Sequence, residues 1–254
     1  MLVLLPPSEG KAAATRGKPL DLDSLSWPAL NPARSRVIDA LMDLANGDSD
    51  HARKLLGISP RLDEELRRDA VLRSAPTLPA ERLYTGVLYQ ALDIASLDTS
   101  ALRWARKHVV VVSALMGIVS LKDRVPSYRL NICTRLPPMG HLVDYWRREL
   151  PDTLLALAGK GLIVDMRSSD YLAVWRPKPP IAERTVQIHV KRDGKVVSHD
   201  AKWTRGLVAR HLAQASSSWS RPPRSPEELA GVLASAFDID LQPAGAGWRL
   251  DVLL

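Results

Sequence analysis

Four consecutive valines, Val109–Val112, constrain the fold of this chain more than any other feature. β-Branched residues favour strands, and a strand without alternating polar residues is typical of a sheet with both faces covered. The valines lie in an uncharged apolar stretch, His108–Leu121, which is shorter than the roughly 20 residues that a membrane span needs. The pattern therefore predicts a central strand, buried on both faces, within residues His108–Ala114 of a protein that does not cross a membrane.

Helical periodicity and short apolar runs alternate along the rest of the chain. Buried strands are predicted at Leu2–Leu5 and Leu162–Met166, a hairpin turn at Asp193-Gly194 and a closing strand at Trp248–Leu254. Helices are predicted at Ala33–Leu44, His51–Leu56, from Ser59 onward, Ala80–Leu92, Ser100–Lys107, Leu142–Leu150, Thr153–Ala158, Asp200–Ala215 and from Ser225 onward. Because these elements interleave without a linker, we expect the α/β class (mixed α+β), with a single compact domain over residues 1–254 and a central sheet flanked by helices.

The cysteine count and the N-terminus limit the class of protein. The 254 residues include one cysteine, Cys133, which excludes an internal disulfide framework and any zinc cage or iron–sulfur cluster built from cysteines. The six histidines are scattered, and no Glu-x-x-His pair is present, so we expect no metal and no cofactor. Met1–Pro6 lacks the positively charged region of a signal peptide. We therefore expect a soluble, cytoplasmic protein, and we expect it to be a monomer.

The positive charge of the chain is concentrated in one segment. Residues 160–224 contain 13 Lys+Arg and 5 Asp+Glu, whereas the rest of the chain contains 22 and 23. Concentrated positive charge attracts phosphate backbones and speeds association with them. A solvated surface is the equally common explanation of such a segment, so charge alone leaves both interpretations open.

The usual signatures of catalysis are absent from this sequence. Gly10-Lys11 lacks the other residues of a phosphate-binding P-loop, and no dinucleotide-binding or zinc-protease motif is present. Ser8 and Lys11 match the spacing S-x-x-K, which can activate a serine, but the boxes that accompany it in serine-acylating enzymes are missing.

A first polar cluster follows the valine-rich stretch. Asp123, Tyr128 and Arg129 lie in the segment after it. A polar turn after a buried strand is where α/β folds place ligands. A salt bridge that only holds the loop is the alternative.

A second polar cluster follows the predicted strand Leu162–Met166. It contains Asp165, Arg167, Ser168 and Tyr171, and its position has the same meaning. Ser168 taken alone is better explained as a helix cap.

A third cluster lies on a predicted helix. Lys202 and Arg205 are three residues apart and therefore share a helical face, where two cations can bind one anion. Two solvated charges are the equally common alternative.

Taken together and in order, these motifs resemble the YaaA family of peroxide stress proteins over nearly the whole chain. The motifs that carry the resemblance are Leu2–Lys11, Leu83–Gly86 with Leu92-Asp93, Ser113–Asp123 with Pro126–Leu130, Asp144–Trp146, Ile163–Asp165 with Ser168–Tyr171, and Lys202-x-x-Arg205-Gly206.

The resemblance implies a role in surviving hydrogen peroxide. It implies lower unincorporated iron, hence less Fenton damage, and sequence-tolerant binding of double-stranded DNA through a basic cleft. It also implies an unusual α/β fold with a helix-hairpin-helix-like element, for which the nearest candidate is Leu55–Ser59. As a bare pattern, this segment is more often a simple helix corner.

The sequence is therefore compatible with two functions. In a DNA-binding protein, the phosphate contacts would be Lys11, Arg129, Arg167, Lys202 and Arg205. In an enzyme acting on nucleic acid or on a nucleobase-like small molecule, with glycosylase-like or lyase-like chemistry, Lys11, Asp165 and Lys202 are the candidate catalytic residues. The pocket around them would contain Asp123, Tyr128, Ser168 and Tyr171. Whether the protein is an enzyme is left open by the sequence.

Overall fold

Parallel strands form the middle of the main β-sheet. The computed structural model describes residues 1–192, 195–196 and 198–254. The strands in these ranges are β1 (Leu2–Leu5), β2 (Thr77–Pro79), β3 (Val109–Ser113), β4 (Gly117–Ser120), β5 (Arg124–Pro126), β6 (Arg135–Leu136), β7 (Gly140–His141), β8 (Ile163–Asp165), β9 (Thr185–Arg192), β10 (Lys195–Val196), β11 (Asp238–Ala244) and β12 (Gly247–Leu253). The main sheet has the order β11-β12-β9-β8-β1-β3-β4. Neighbours from β12 to β3 are parallel, whereas β11 and β4 close the two edges in antiparallel pairings.

Helices pack around this sheet. Those in the described ranges are α1 (Asn31–Asn46), α2 (Ser49–Leu56), α3 (Asp63–Asp69), α4 (Ala80–Leu83), α5 (Val87–Leu92), α6 (Thr99–His108), α7 (Leu142–Glu149), α8 (Pro151–Ala158), α9 (Ser169–Leu172), α10 (Ser198–Ala215) and α11 (Pro226–Leu233). One hydrophobic cluster contains buried side chains from Leu2 in β1 to Val252 in β12. The predicted mixed α/β architecture with a central sheet is confirmed.

The valine-rich stretch forms β3, and all five of its residues are buried. Its neighbours are β1 on one side and β4 on the other. The strand is therefore interior but not central, because β8 occupies the middle of the sheet. The apolar stretch is long because the chain reverses after Ser113 and returns as β4, with Ser113 opposite Gly117. No helix in the described ranges is both long and apolar enough to cross a membrane.

Two predicted elements differ in detail from the structure. The predicted helix Ala80–Leu92 is divided at Gly86 into α4 and α5, since Gly86 has an extended backbone. The helix predicted from Ser59 starts with a 3₁₀ turn, Pro60–Leu62, before α3. The predicted turn Asp193-Gly194 lies outside the described residues, but β9 and β10 on either side of it do pair antiparallel.

Helices α5 and α10 pack unusually closely at Gly206. A Cβ atom on Gly206 would overlap the carbonyl oxygen of Leu88 and would lie 2.7 Å from Cβ of Ala91. Because both neighbours belong to a packed helix, neither can move aside without shifting α5. The close approach explains why a glycine follows Arg205 in a helix, where glycine is otherwise unfavourable.

We expect Gly206→Ala to lower the free energy of unfolding by about 1–3 kcal/mol, because the added methyl group overpacks this contact. Gly231→Ala is the matched control, since Gly231 also lies in a helix, α11, and a Cβ there would meet nothing within 4 Å. That control should leave stability unchanged or raise it by up to about 1 kcal/mol. Urea unfolding followed by circular dichroism measures both, and equal effects of the two substitutions would contradict the packing explanation.

Candidate active site

The carboxyl ends of three neighbouring parallel strands place polar residues at one edge of the sheet. These strands are β1, β3 and β8, which end at Leu5, Ser113 and Asp165. Ligands of open α/β sheets bind beyond the carboxyl ends of the strands. The residues that follow β1 and those around Ser113 form the first polar group at this edge.

Lys11 is positioned by the loop that follows β1. Its backbone forms an antiparallel bridge with Tyr84, and the Thr85 amide donates a hydrogen bond to the Gly10 carbonyl at 3.2 Å. The loop is also held close to Gly86, where a Cβ atom would lie 2.7 Å from Cβ of Ser8. A side chain at position 86 would therefore push the loop away from the sheet.

The Lys11 ammonium group is held by carbonyl oxygens and by an aromatic face. Its Nζ donates to the carbonyl of Ser8 at 2.8 Å and to that of Glu9 at 3.2 Å. It also lies 4.2 Å from the centre of the Tyr128 ring, within the range of a cation–π contact. Lys11 is half-buried and Glu9 is exposed, and we call the exposed side of the site, at Glu9, its opening.

A chain of buried hydroxyl groups lines the inner wall of the site. Ser113 Oγ accepts from the Met116 amide at 3.1 Å and lies 2.8 Å from the Tyr128 hydroxyl. The Tyr128 hydroxyl in turn lies 3.2 Å from that of Tyr84. Burial raises the pKa of Tyr84 to about 12, and it also raises the pKa of Tyr128 and Tyr171, so these phenols stay neutral at physiological pH.

A buried carboxyl group, Asp69 at the end of α3, completes the site. Its Oδ1 accepts from the Arg129 amide at 2.9 Å, whereas its Oδ2 is buried without a hydrogen-bond partner in the described part of the chain. Burial raises the pKa of Asp69 to about 8, although this hydrogen bond and the positive charge of Lys11 oppose the increase. Asp69 therefore holds a proton at neutral pH.

The pKa of Lys11 is shifted in the opposite direction to that of Asp69. Burial, followed by repulsion from Arg129, lowers the pKa of the Lys11 ammonium to about 8, against the attraction of Asp69, Glu65 and Glu9. At the opening, the Arg129 guanidinium forms an ion pair with Glu9 at 3.1 Å. The site therefore contains an amine that can lose its proton and a carboxyl group that can supply one, which is the combination used in acid–base and covalent catalysis.

Asp165 and Arg167 form a separate, fully buried pair. The guanidinium Nε donates to Asp165 Oδ1 at 2.9 Å and Nη2 donates to Oδ2 at 2.7 Å. Its other donors bond the carbonyls of Tyr171 at 3.1 Å and Trp175 at 2.7 Å. Neither side chain reaches solvent. Arg167 therefore does not fit its predicted role as a phosphate contact, and Asp165 is its structural partner in this geometry.

Asp123 also has a structural position. Its Oδ2 accepts from the Ser120 amide at 2.8 Å and its Oδ1 from the amide and hydroxyl of Ser26 at 3.0 and 2.8 Å. These bonds hold the turn after β4 and an N-terminal loop together. Asp123 therefore matches the alternative of a loop-holding residue, although these partners are hydrogen-bond donors and not a cation.

The remaining predicted pocket residues lie at α9. Ser168 precedes the helix as its N-cap, without a hydrogen bond from its side chain to the helix. Tyr171 is buried, and burial, followed by the nearby Tyr84 phenol, raises the pKa of Tyr171. Tyr171 therefore lies in the interior next to the site. Ser168 lies at the same edge of the sheet, just before α9.

Lys202 and Arg205 of α10 do not form the joint anion site that their spacing predicts. Lys202 is exposed, whereas Arg205 is half-buried and donates from Nε to the Ile188 carbonyl in β9 at 3.3 Å. Burial lowers the pKa of the Arg205 guanidinium, and attraction by Asp165 partly offsets that decrease. The two side chains therefore have different environments, with Arg205 turned to the sheet and Lys202 to solvent.

Many of the basic side chains in residues 160–224 form hydrogen bonds or ion pairs within the protein. Its arginines and lysines bond carbonyls or acidic side chains at Arg167, Arg184, Lys191, Arg192, Arg205, Arg210 and Arg221. The segment is therefore less available to an external phosphate than its sequence indicates. Within the described ranges, no group of three His, Cys, Asp or Glu side chains is placed to hold a metal ion.

Of the predicted site residues, the structure brings together Lys11, Tyr128 and Arg129, with Tyr171 nearby. Sequence reasoning missed Asp69, which lies in a strongly charged helix of the kind that is usually solvated. It also missed the role of Ser113, which is the last residue of β3 and so lies at the sheet edge. The position of Ser113 directly after the four valines is the sequence feature that could have identified it as a site residue.

The model of the family described as peroxide stress protein YaaA matches residues 1–240. The chain belongs to the YaaA family.

Individual relatives match over most of the chain. A UPF0246 protein of Streptomyces coelicolor is 44% identical, and the match covers 100% of this chain and 98% of the relative. UPF0246 proteins of Corynebacterium glutamicum and Ruegeria pomeroyi are 38% and 31% identical, with 84% of this chain covered in each case and 85% and 86% of their own lengths. The resemblance to peroxide stress proteins that the sequence motifs indicate is thereby confirmed.

Proposed function

We propose that this YaaA family member acts in the peroxide stress response by binding double-stranded DNA without sequence preference, as a cytoplasmic monomer that helps limit Fenton damage. The observation that supports the proposal most is a pair of short helices joined by a tight turn, which leads into the Lys11 site. This α2–α3 hairpin consists of α2, the turn Gly57–Ser59, the 3₁₀ turn Pro60–Leu62, and α3, whose last residue is Asp69. It contains Leu55–Ser59, the nearest candidate in the sequence for the helix-hairpin-helix-like element that the family resemblance implies.

The α2–α3 hairpin has a fixed geometry and presents its turn to solvent. Gly57 has the left-handed backbone conformation, with φ 64°, and the Ile58 amide donates to the Arg53 carbonyl at 3.0 Å. The Arg53 guanidinium also joins the two helices through two hydrogen bonds of 2.8 Å to the Asp63 carboxylate. Gly57 and Ser59 are exposed. A fixed turn with exposed backbone is suited to contact phosphate groups irrespective of base sequence.

Two exposed cations lie on the same hairpin. Lys54 on α2 and Arg61 in the turn before α3 are both exposed. Arg129 lies at the opening of the Lys11 site, to which α3 leads through Asp69. The proposed DNA surface therefore runs from the hairpin to Arg129, and Lys202, which is exposed on α10, remains a further proposed contact.

We expect binding to duplex DNA to weaken steeply with salt, with a slope of about −0.9 in log K against log salt for each phosphate contacted. Replacing Lys54 and Arg61 together by Ala should flatten the slope by about 2 units and weaken binding to unrelated sequences equally. Fluorescence anisotropy of labelled duplexes at several salt concentrations measures these quantities.

The control for this experiment is the double variant Arg103→Ala with Lys107→Ala. It removes the same charge from exposed positions on α6, which leads into the amino end of β3 at the opposite edge of the sheet. The control should keep the slope of the unmodified protein. Equal losses in the two double variants would show that net charge, and not the hairpin, governs binding, and affinity indifferent to salt would contradict DNA binding through phosphates.

A second candidate function, an enzyme acting on nucleic acid or on a nucleobase-like small molecule, is favoured by the pairing of Lys11 with Asp69. A protein that only binds DNA has no need for a buried carboxyl group near a half-buried amine, because removing either group from water is costly. The neutral Tyr128 ring lies against the Lys11 side of this pair, 4.2 Å from Nζ.

A further inference from the structure

We propose that Lys11 is an imine-forming nucleophile and Asp69 its proton donor, for a substrate that carries an aldehyde beside a phosphate group. The proposal deepens the second candidate function and rests on it. It assigns a reaction to the site and roles to two residues within it.

The hydrogen bonds of Lys11 are those expected of a nucleophilic amine. Its Nζ donates to two acceptors, the carbonyls of Ser8 and Glu9. A neutral amine has two N–H hydrogens and one lone pair, so both hydrogens are used and the lone pair is left for the substrate. Once the ammonium, whose pKa burial lowers to about 8, has lost its proton, the loop after β1 therefore orients the amine with its lone pair free.

Asp69 can supply the proton that the reaction consumes. Its Oδ1 is fixed by the Arg129 amide, while Oδ2 is buried and has no hydrogen-bond partner within the described residues. A protonated carboxyl group with one unbonded oxygen can donate to an oxygen atom placed in the site. The pKa of Asp69, raised to about 8 by burial, keeps that proton in place at neutral pH.

The chemical step balances with these two groups alone. The Lys11 amine attacks the aldehyde carbon, a C–N bond forms, and a proton moves from nitrogen to oxygen to give a carbinolamine. Asp69 then donates its proton to the hydroxyl group, which leaves as water while the nitrogen lone pair forms the C=N bond. The products are an iminium on Lys11, one water molecule and the Asp69 carboxylate, which stabilises the iminium.

The phosphate preference comes from the opening of the site. Arg129 and Glu9 form an ion pair there, with 23% and 72% of their side chains exposed. Because the Glu9 carboxylate is largely exposed, the ion pair contributes little stability, so a phosphate can displace Glu9 from the guanidinium. An aldehyde beside a phosphate occurs both in the ring-opened sugar of an abasic site in DNA and in small sugar phosphates.

Trapping with sodium cyanoborohydride tests the proposal, because this reagent reduces an imine to a stable secondary amine. The probes are a duplex with one abasic site, glyceraldehyde 3-phosphate, and unphosphorylated glyceraldehyde. Peptide mass spectrometry should place the adduct on Lys11, with at least about tenfold less from unphosphorylated glyceraldehyde, which lacks the group that Arg129 binds. An adduct from the duplex alone identifies DNA as the source of the aldehyde, and one from the small phosphate alone identifies a small molecule.

Two variants complete the experiment. Lys11→Arg keeps the charge but forms no imine, so the adduct should disappear, whereas Lys18→Arg, at an exposed lysine, should keep it. Asp69→Asn should slow trapping and remove the fall in its rate above pH 8 that ionisation of Asp69 causes in the parent. The charged groups that face this pair are Arg129, Glu65 and Glu9, and all three are unchanged in the variant.

Labelling of Lys11 no greater than that of Lys18 in the unmodified protein would overturn the proposal, and this result does not depend on any variant folding. Anisotropy with an intact duplex is measured in parallel. Retained DNA binding without an adduct would leave the DNA-binding function standing and remove imine formation at Lys11.

Discussion

Replacing Arg167 by Met should lower the free energy of unfolding by about 3–5 kcal/mol, enough to leave much of the protein unfolded at physiological temperature. The side chain is fully buried, and its donors satisfy the Asp165 carboxylate and the carbonyls of Tyr171 and Trp175. Methionine fills similar volume but donates nothing. The substitution therefore leaves an uncompensated buried carboxylate between β8 and α9.

Removing that uncompensated charge should recover part of the loss. The double variant Asp165→Leu with Arg167→Met is expected to be more stable than Arg167→Met alone, since a buried pair is less costly to replace than to break. Arg148→Met, at an exposed position of α7, should change stability by less than about 0.5 kcal/mol. Urea unfolding measures all three, and a parental midpoint for Arg167→Met would contradict the structural role of this pair.

The interior strands were predictable because burial on both faces leaves a continuous apolar run. This is why the positions predicted for Leu2–Leu5 and for the valines of β3 agree with the structure. Strands β6 and β7 have two residues each, too few for any periodicity. Strand β11 alternates apolar and polar residues weakly because its residues are only partly buried or exposed. Its pairing depends on β12, which lies beside it in space.

The candidate site was predictable only in part, because position along the chain does not reveal burial. Arg129 and Arg167 both follow strands, yet Arg129 reaches the opening of the site and Arg167 is enclosed by the carbonyls of α9 and the loop after it. Asp69 lies in the sequence DEELRRD, which is typical of a solvated helix. The segment after β5 buries it, through the Arg129 amide, and that contact joins residues 60 positions apart.

The pH dependence of stability should reveal the protonation of Asp69. Burial raises its pKa from 3.8 to about 8, so the folded protein binds a proton that the unfolded chain releases. The stabilising effect of this proton is complete below about pH 4 and is lost as pH rises to about 8, by up to about 1.4 kcal/mol per unit. The pKa of Lys11, lowered from 10.5 to about 8, acts in the opposite sense, so stability is regained between pH 8 and 10.5.

The free energy of unfolding of the parent protein, relative to that of Asp69→Asn, should therefore decrease from about pH 4 to about pH 8. Asparagine keeps an oxygen to accept from the Arg129 amide but does not ionise, so the difference between the two curves isolates the carboxyl group from every other titrating residue. Lys11→Met should remove the recovery above pH 8 and keep the decrease, which extends to higher pH because the charge of Lys11 no longer opposes the raised pKa of Asp69. Urea unfolding at a series of pH values gives the curves. Parallel curves for the parent and Asp69→Asn over this range would show that Asp69 is ionised in the folded protein. Asp69 could then not donate the proton that the proposed reaction of Lys11 requires.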